Sequence, residues 1–378
     1  MGAIRVLVVD DSAVIRKVLG DLLGQDPAIE VVGSAPNGKV ALEKLSSLNP
    51  DIITLDIEMP EMNGLDVVRE IRQRGNQVPI IMCSSLTADG ASHTLDALAL
   101  GASDYVTKPS SHGVNTRDVV GDDLLRKIKA LAKQERNASG SSSVRTSSLV
   151  RSDIPREAKP DKMLSEVGIV AFGVSTGGPN ALMELLPQFS ATFPVPIVIV
   201  QHMPPLFTKM LALRLCEVSK LPVSEAQHSQ EVLPGQVYLA PGGFHMEIKR
   251  LLGRTVVALN DGPAENSCRP AVDVLFRSVA KTYGDKSLGV ILTGMGQDGL
   301  NGAKEIKRVG GSLIIQDKES SAVWGMPGSI IDAGLEPYVS PLNGIAQEIE
   351  RLVTTDSSAN KKTGTSDRKV LNKSADTL

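Results

Sequence analysis

Val167-Gly168-Ile169-Val170-Ala171-Phe172-Gly173-Val174-Ser175-Thr176-Gly177-Gly178 reads as a buried strand that runs into a tight glycine turn and the start of a helix. A short, continuous apolar run is what a parallel strand covered on both faces requires. The turn leaves the Ser175 hydroxyl exposed at the strand's carboxyl end, with helix N–H groups close behind. That is the setting in which a serine can act as a nucleophile.

The same alternation recurs on both sides of this stretch. Upstream, strands are predicted at Ile4–Val9, Glu30–Gly33, Asp51–Leu55, Pro79–Cys83 and Asp104–Thr107. Helices fall between them: from Ser12, with Val14, Ile15, Val18, Leu19 and Leu22 on one face, then at Val40–Leu48, Leu65–Ile71 and His93–Leu100. A last helix carries Leu124, Ile128 and Leu131 at helical spacing. Five βα units predict a doubly wound, five-stranded parallel sheet. Downstream, strands are predicted at Gly168–Phe172, Pro196–Val200, Leu288–Thr293 and Ser312–Gln316, and Gln236–Ala240, His245–Lys249 and Thr255–Leu259 read as a small antiparallel excursion. Between the halves, Asn137 to Lys162 is rich in Ser, Gly and Pro and offers little to bury. The chain therefore divides into a first α/β domain over residues 1–134, a flexible linker over 135–165, a second α/β domain with a mostly parallel sheet over 166–353, and a polar tail over 354–378.

Bulk properties narrow the function. The 378 residues are 42% hydrophobic and 22% charged, an ordinary soluble composition in a chain long enough for two cores. A net charge of −3 makes no electrostatic case for nucleic acid or an anionic membrane. No apolar run approaches the roughly 20 residues a membrane-spanning helix needs. Arg5 lies within a strand-like run, and the N-terminal stretch does not read as a signal peptide. Cys83, Cys216 and Cys268 are odd in number and widely spaced, which fits a reducing cytoplasm and neither a disulfide frame nor a zinc site.

Ligands of an open α/β sheet gather at the carboxyl ends of its strands. In the first domain Asp10 and Asp11 end the first strand, Asp56 the third, Ser84 the fourth and Lys108 the fifth. Converging carboxylates repel one another, and a hard divalent cation such as Mg²⁺ relieves that repulsion. Asp56, in the centre, can attack a phosphoryl group to give an acyl phosphate. The metal and Lys108 balance the charge of the transferred group, and the Ser84 hydroxyl can be drawn to a phosphate oxygen.

In the second domain Ser175 needs a base and an orienting acid. Of the five histidines, His93 and His112 belong to the first domain, His228 lies in a polar stretch and His245 in the hairpin excursion. Only His202 follows a buried strand, Ile197-Val198-Ile199-Val200-Gln201, and reaches the same sheet edge as Ser175. Asp298 and Asp317 both follow strands. Asp298 is favoured, since Gly294-Met295-Gly296-Gln297 brings backbone close to a substrate and Gly299 permits a tight turn. The N–H groups of His202 and Met295 are candidate oxyanion donors, and Thr176 a further polar contact. The order Ser175, His202, Asp298 differs from that of the α/β-hydrolase fold, where the acid precedes the histidine.

These motifs carry two resemblances. Val8-Val9-Asp10-Asp11-Ser12, Asp56-Ile57-Glu58-Met59-Pro60, Asn63-Gly64 and Tyr105-Val106-Thr107-Lys108-Pro109 resemble the receiver domain of bacterial response regulators. That resemblance implies phosphorylation of Asp56 and metal ligands Asp10, Asp11, Asp56 and the Glu58 carbonyl. It also implies a cis bond before Pro109, and movement of Ser84 and Tyr105 on phosphorylation. Gly173-Val174-Ser175-Thr176-Gly177-Gly178-Pro179, Gln201-His202-Met203-Pro204-Pro205, Leu239-Ala240-Pro241-Gly242-Gly243, Arg269-Pro270-Ala271-Val272-Asp273-Val274-Leu275-Phe276 and Leu292-Thr293-Gly294-Met295-Gly296-Gln297-Asp298-Gly299 resemble the chemotaxis protein-glutamate methylesterases, the CheB family. Ala271 departs from the serine expected in its block. The resemblance implies a cytoplasmic, phosphorylation-regulated hydrolase with the triad Ser175, His202 and Asp298. Its substrates would be glutamate γ-methyl esters on the cytoplasmic helices of methyl-accepting chemoreceptors, with release of methanol and deamidation of receptor glutamine. The phosphodonor would be a chemotaxis histidine kinase, and the ester chemistry itself would need no cofactor.

Two other readings compete with this one. A non-catalytic response regulator would keep Asp56 and use Ser175 only as a turn. A DNA-binding output would need a basic recognition helix after the linker, where the chain instead enters a long α/β pattern. For the two-domain hydrolase, the unphosphorylated receiver is expected to lie near the Ser175 edge and impede a bulky helical substrate.

Overall fold

The computed structural model describes residues 2–108, 121–133 and 167–354. The expected linker, most of the expected tail and Pro109 with its expected cis bond lie outside the described residues. Thr354 closes the last helix rather than opening a tail.

In the first domain the strands are β1 (Ile4–Val9), β2 (Ile29–Ala35), β3 (Ile52–Asp56), β4 (Ile80–Ser84) and β5 (Asp104–Thr107). The helices are α1 (Ala13–Leu23), α2 (Gly38–Leu48), α3 (Gly64–Gln73), α4 (Ala88–Ala99) and α5 (residues 121–133). The strands pair in parallel in the order β2-β1-β3-β4-β5, as the βα alternation predicts. β1 and β3 are buried almost throughout because helices cover both faces. The helices start where their caps dictate: Ser12, Asn37, Asn63 and Thr87 each accept a bond from the first-turn backbone. The order of strand addition reverses between β1 and β3, opening a crevice at their carboxyl ends.

The second domain follows with β6 (Ile169–Val174), α6 (Gly178–Leu185), β7 (Ile197–Gln201), α7 (Pro205–Val218), β8 (Val223–Glu225) and β9 (Val237–Leu239). It continues through β10 (His245–Leu251), β11 (Arg254–Asn260), α8 (Val272–Tyr283), β12 (Ser287–Ile291), α9 (Leu300–Arg308), β13 (Ser312–Gln316), α10 (Met326–Asp332), β14 (Tyr338–Ser340) and α11 (Leu342–Thr354). Seven strands pair in parallel in the order β14-β13-β12-β6-β7-β9-β8. Only β10 and β11 form the antiparallel excursion. Gln236–Ala240 therefore does not belong to it: Val237–Leu239 joins the main sheet beside β7, where all three residues are buried. The short strands β8 and β14 escape sequence reading because three residues are too few to show a period.

β6 is fully buried at the centre of this sheet. The chain first builds outward on its β7 side and later returns on its β12 side, so the second crevice opens where β6 and β12 end. The domains meet along α4 and α7. Asp96 pairs with Arg214, Asn180 Nδ2 donates to Ala102 O at 3.1 Å, and the Tyr105 and Phe207 rings stack. Val323 and Met295 of the second domain join the apolar cluster formed by Val106, Leu124, Ile128 and Leu131 of the first.

Candidate functional site

At the first crevice, Asp10 and Asp56 are buried and Asp11 is exposed. One carboxylate oxygen from each lies within 4.8 Å of the others. Lys108 Nζ sits 2.9 Å from Asp10 Oδ2 and 2.7 Å from Asp56 Oδ2. Apart from these ion pairs, neither buried oxygen has a hydrogen-bond partner. Burial pushes the Asp56 carboxyl up to about 6, against the opposing pull of Lys108. Two underprovided oxygens beside a third, exposed carboxylate suit a hard divalent cation, so the residues fit Mg²⁺. The Glu58 N–H reaches Asp56 Oδ1 at 3.4 Å. The Ser84 hydroxyl is turned toward α4, donating to Gly90 O at 3.0 Å. Tyr105 is buried against the second domain.

At the second crevice, Gly177 in the left-handed region (φ 76°) swings the chain from β6 into α6. Gly178 is required by contact: a Cβ there would lie 2.0 Å from Gln201 Oε1. The turn is tied down from neighbouring strands. Ser175 N–H donates to Thr293 O at 3.1 Å, and Gln201 Nε2 donates to Ser175 O at 3.0 Å. Gln201, which the sequence reading did not single out, is thus a positioning residue at the end of β7.

His202 follows directly, and its Nε2 lies 2.8 Å from Asp298 Oδ2. Asp298 is buried before α9 and faces the N-terminus of α8. Its Oδ2 accepts from Val272 N–H at 2.7 Å, and its Oδ1 from Asp273 N–H at 3.1 Å and Gly299 N–H at 2.9 Å. Asn266 Nδ2 adds a 2.9 Å bond to Oδ1. Burial opposes this charge, but the His202 hydrogen bond and the α8 amides outweigh it and hold the carboxyl below its usual range. Burial likewise opposes a charged His202 ring, and Asp298 together with Cys268 outweighs it, raising the imidazole pKa. Asp317, the rejected alternative, caps a turn through Ser320 N–H and its hydroxyl.

The other nitrogen, His202 Nδ1, lies 3.5 Å from Cys268 Sγ. Among the described residues Ser175 Oγ makes no hydrogen bond, although Ser175, His202 and Asp298 line one cavity of about 650 Å³. Thr176 and Met295 line it too. The expected oxyanion role of the His202 N–H is not open, because that group donates to Val174 O at 3.1 Å. It extends the strand pairing of β7 with β6, which residue type alone cannot reveal. The Met295 N–H has no intramolecular partner among the described residues. The receiver contributes the opposite wall of the cavity through Tyr105, Val106, Thr107 and Lys127. Asn266, Asp273 and Cys268 escaped sequence reading as contributors. They lie in a loop and a helix start whose link to Asp298 spans more than twenty residues.

Comparison with known proteins agrees with both halves. The family model for the CheB methylesterase matches residues 170–349, and that for the response regulator receiver domain matches residues 6–116. A protein-glutamate methylesterase/protein-glutamine glutaminase of Trichodesmium erythraeum is 46% identical over 93% of this chain and 100% of its own length. A protein of the same description from Nocardioides is 48% identical, over 93% and 96%. Among solved structures, the Thermotoga maritima CheB methylesterase catalytic domain is similar at 46% identity, with a TM-score of 0.49 over 50% of this chain and 100% of that one.

Proposed function

The chain belongs to the CheB methylesterase family, and from that premise we propose that Ser175, His202 and Asp298 hydrolyse glutamate γ-methyl esters, and deamidate glutamine, under the control of Asp56. The observation that carries the assignment is the His202–Asp298 bond at 2.8 Å, on the wall of the cavity that also exposes Ser175. The family matches do not favour the alternative of a non-catalytic output domain.

Once Nδ1 has given up its proton, Nε2–H still donates to Asp298 and the ring presents its lone pair at Nδ1. That nitrogen takes the Ser175 proton as the oxygen attacks the ester carbonyl. Ser175 Oγ is uncommitted and can turn to Nδ1 when substrate enters, since such bonds commonly tighten only in the substrate complex. The imidazolium that forms is stabilised by Asp298, whose own charge is held by the α8 amides. The oxyanion falls to the Met295 N–H, with Thr176 beside it. Protonated Nδ1 returns its proton to the leaving oxygen and methanol departs. Water, deprotonated by the same nitrogen, then resolves the acyl-enzyme. A glutamine side chain would follow the same course with ammonia as leaving group.

In the receiver, Asp10, Asp11, Asp56 and the Glu58 carbonyl would hold Mg²⁺, which when bound supplies charge neutralisation for phosphoryl transfer. Asp56 is the acceptor and Lys108 pairs with the incoming charge. Ser84 would leave Gly90 O for a phosphate oxygen, and Tyr105 would shift with it. Because Tyr105, Val106, Thr107 and Lys127 wall the cavity, a helical substrate gains access when phosphorylation disfavours this docked arrangement. Partners of the stated chemistry are chemoreceptor cytoplasmic helices and a chemotaxis histidine kinase. A cytoplasmic location is in keeping with these partners, and no helix among the described residues is long and apolar enough to cross a membrane.

The test is mass measurement on methylated receptor peptides incubated with the full chain and a small-molecule phosphodonor. Loss of methyl from glutamate is expected, and Ser175→Ala should abolish it while leaving circular dichroism unchanged. Wild-type turnover by that folded variant removes Ser175 from the mechanism.

A further inference from the structure

The catalytic histidine is flanked on both sides. Asp298 lies against Nε2, and Nδ1 faces not an oxygen but Cys268 Sγ, 3.5 Å away. For Zn²⁺ held tetrahedrally by one imidazole and one thiolate, ordinary bond lengths put the nitrogen and sulfur about 3.6 Å apart. The observed separation already matches that bite. A carboxylate on the far ring nitrogen is also the usual partner of a metal-bound histidine, fixing the tautomer and raising ligand basicity.

The surroundings favour a cation. Asp298 and Asp273 are both buried within hydrogen-bond reach of Asn266, the neighbour but one of Cys268. Cys268 is held by reciprocal backbone bonds with Glu265, at 3.1 and 2.8 Å. Its thiol is partly exposed and lines the same cavity as Ser175, so an ion has an entry path.

We propose that His202 Nδ1 and Cys268 Sγ form a binding site for a borderline-soft divalent cation of the Zn²⁺ class, and that its occupancy switches hydrolysis off by taking the lone pair that Ser175 needs. Binding releases the thiol proton and any Nδ1 proton to solvent, and no electron changes hands. Imidazole with thiolate selects such an ion over Mg²⁺, which stays with the all-oxygen receiver site. Because both ligands line the cavity, water can complete the coordination. The sequence spacing of the cysteines gave no sign of this site, because its ligands lie 66 positions apart. The binding half of the proposal stands on geometry alone, and the inhibitory half rests on the assigned role of His202.

The test uses the full chain with Mg²⁺ at saturation and Co²⁺ as a coloured stand-in for Zn²⁺. A near-ultraviolet thiolate-to-cobalt absorption band is expected in the wild type and in Cys216→Ser, which removes the exposed thiol elsewhere, and is expected to vanish in Cys268→Ala. Cys268→Ser serves the same purpose should the alanine variant fold poorly. In parallel, Zn²⁺ inhibition of ester hydrolysis is read against each protein's own metal-free rate. Loss of a direct ligand should cost at least the roughly 10–100-fold typical of an outer-shell partner, so the half-inhibiting Zn²⁺ concentration should rise by about tenfold or more in Cys268→Ala. No band in the wild type, or a band unchanged in Cys268→Ala, overturns the site. A Cys268-dependent band without inhibition overturns the switch and also His202 Nδ1 as the proton acceptor.

Discussion

Tyr105 and Phe207 stack face to face, with ring centroids 4.6 Å apart and planes 8° from parallel, and this pair joins the last receiver strand to the helix that follows the His202 loop. Lys127 sits 5.0 Å from the Tyr105 ring centroid and donates to Tyr105 O at 2.6 Å. The residue expected to move with phosphorylation is therefore embedded in the seam that walls the cavity.

Loosening that stack should raise activity without phosphorylation. An aromatic pair contributes about 0.5–1.5 kcal/mol beyond its buried area, so Tyr105→Leu is expected to raise basal methanol release roughly 2- to 10-fold. Phosphodonor should then add less than it does to the wild type. An unchanged basal rate would mean the stack does not restrain opening.

Asp298→Asn keeps the shape but replaces an acceptor oxygen with a donor. The ring then loses its preferred tautomer, and kcat is expected to fall by about 10⁴. Asp298 is among the groups that raise the His202 pKa against burial, so without its charge the acid limb of the kcat–pH profile should move to lower pH. A limb that stays in place would assign the titration to another group.

Gly294 is held by space. A Cβ there would lie 2.9 Å from Ser175 Cβ and 2.4 Å from Met326 Sδ. Gly294→Ala should displace Ser175, the proposed nucleophile, and a misplacement of about 1 Å can cost about 10²-fold in rate. Circular dichroism and thermal melting would check that the fold survives while kcat falls.

The Asp56 carboxyl, raised from 3.8 to about 6 by burial, makes metal-free stability depend on pH. Between those values the folded protein holds a proton that the unfolded chain has lost, so stability falls as pH rises through this window and stays reduced above it. In EDTA at pH 7, Asp56→Asn should therefore melt higher than the wild type, with the difference closing below pH 3.8. Mg²⁺ should restore the wild type and leave the variant almost unaffected. Equal melting temperatures at pH 7 in EDTA would contradict this sign.

Much of the site was legible in the residues. Short apolar runs mark parallel strands, and Asp10, Asp56, Ser175 and His202 stand at or just past the carboxyl ends of such runs. Elimination among five histidines points to His202 because only it follows such a run. The preference for Asp298 over Asp317 has less local support. It rests on a glycine-rich approach, and the buried bond to His202 agrees with it. What pattern does not supply is occupancy: residue type leaves the His202 N–H open to an oxyanion, whereas in the fold the Val174 carbonyl accepts it.

Sequence alone determined the doubly wound five-stranded sheet of the first domain, the central strands of the mostly parallel second sheet and the residue types at their carboxyl ends. Periodicity and glycine placement are local properties, and a buried strand must be apolar wherever it lies. Only the tertiary structure decided that Val237–Leu239 joins the main sheet, that Cys268 faces His202 and that the receiver walls the Ser175 cavity. Those are contacts between segments far apart along the chain, set by how the packed layers meet, and no local pattern encodes them.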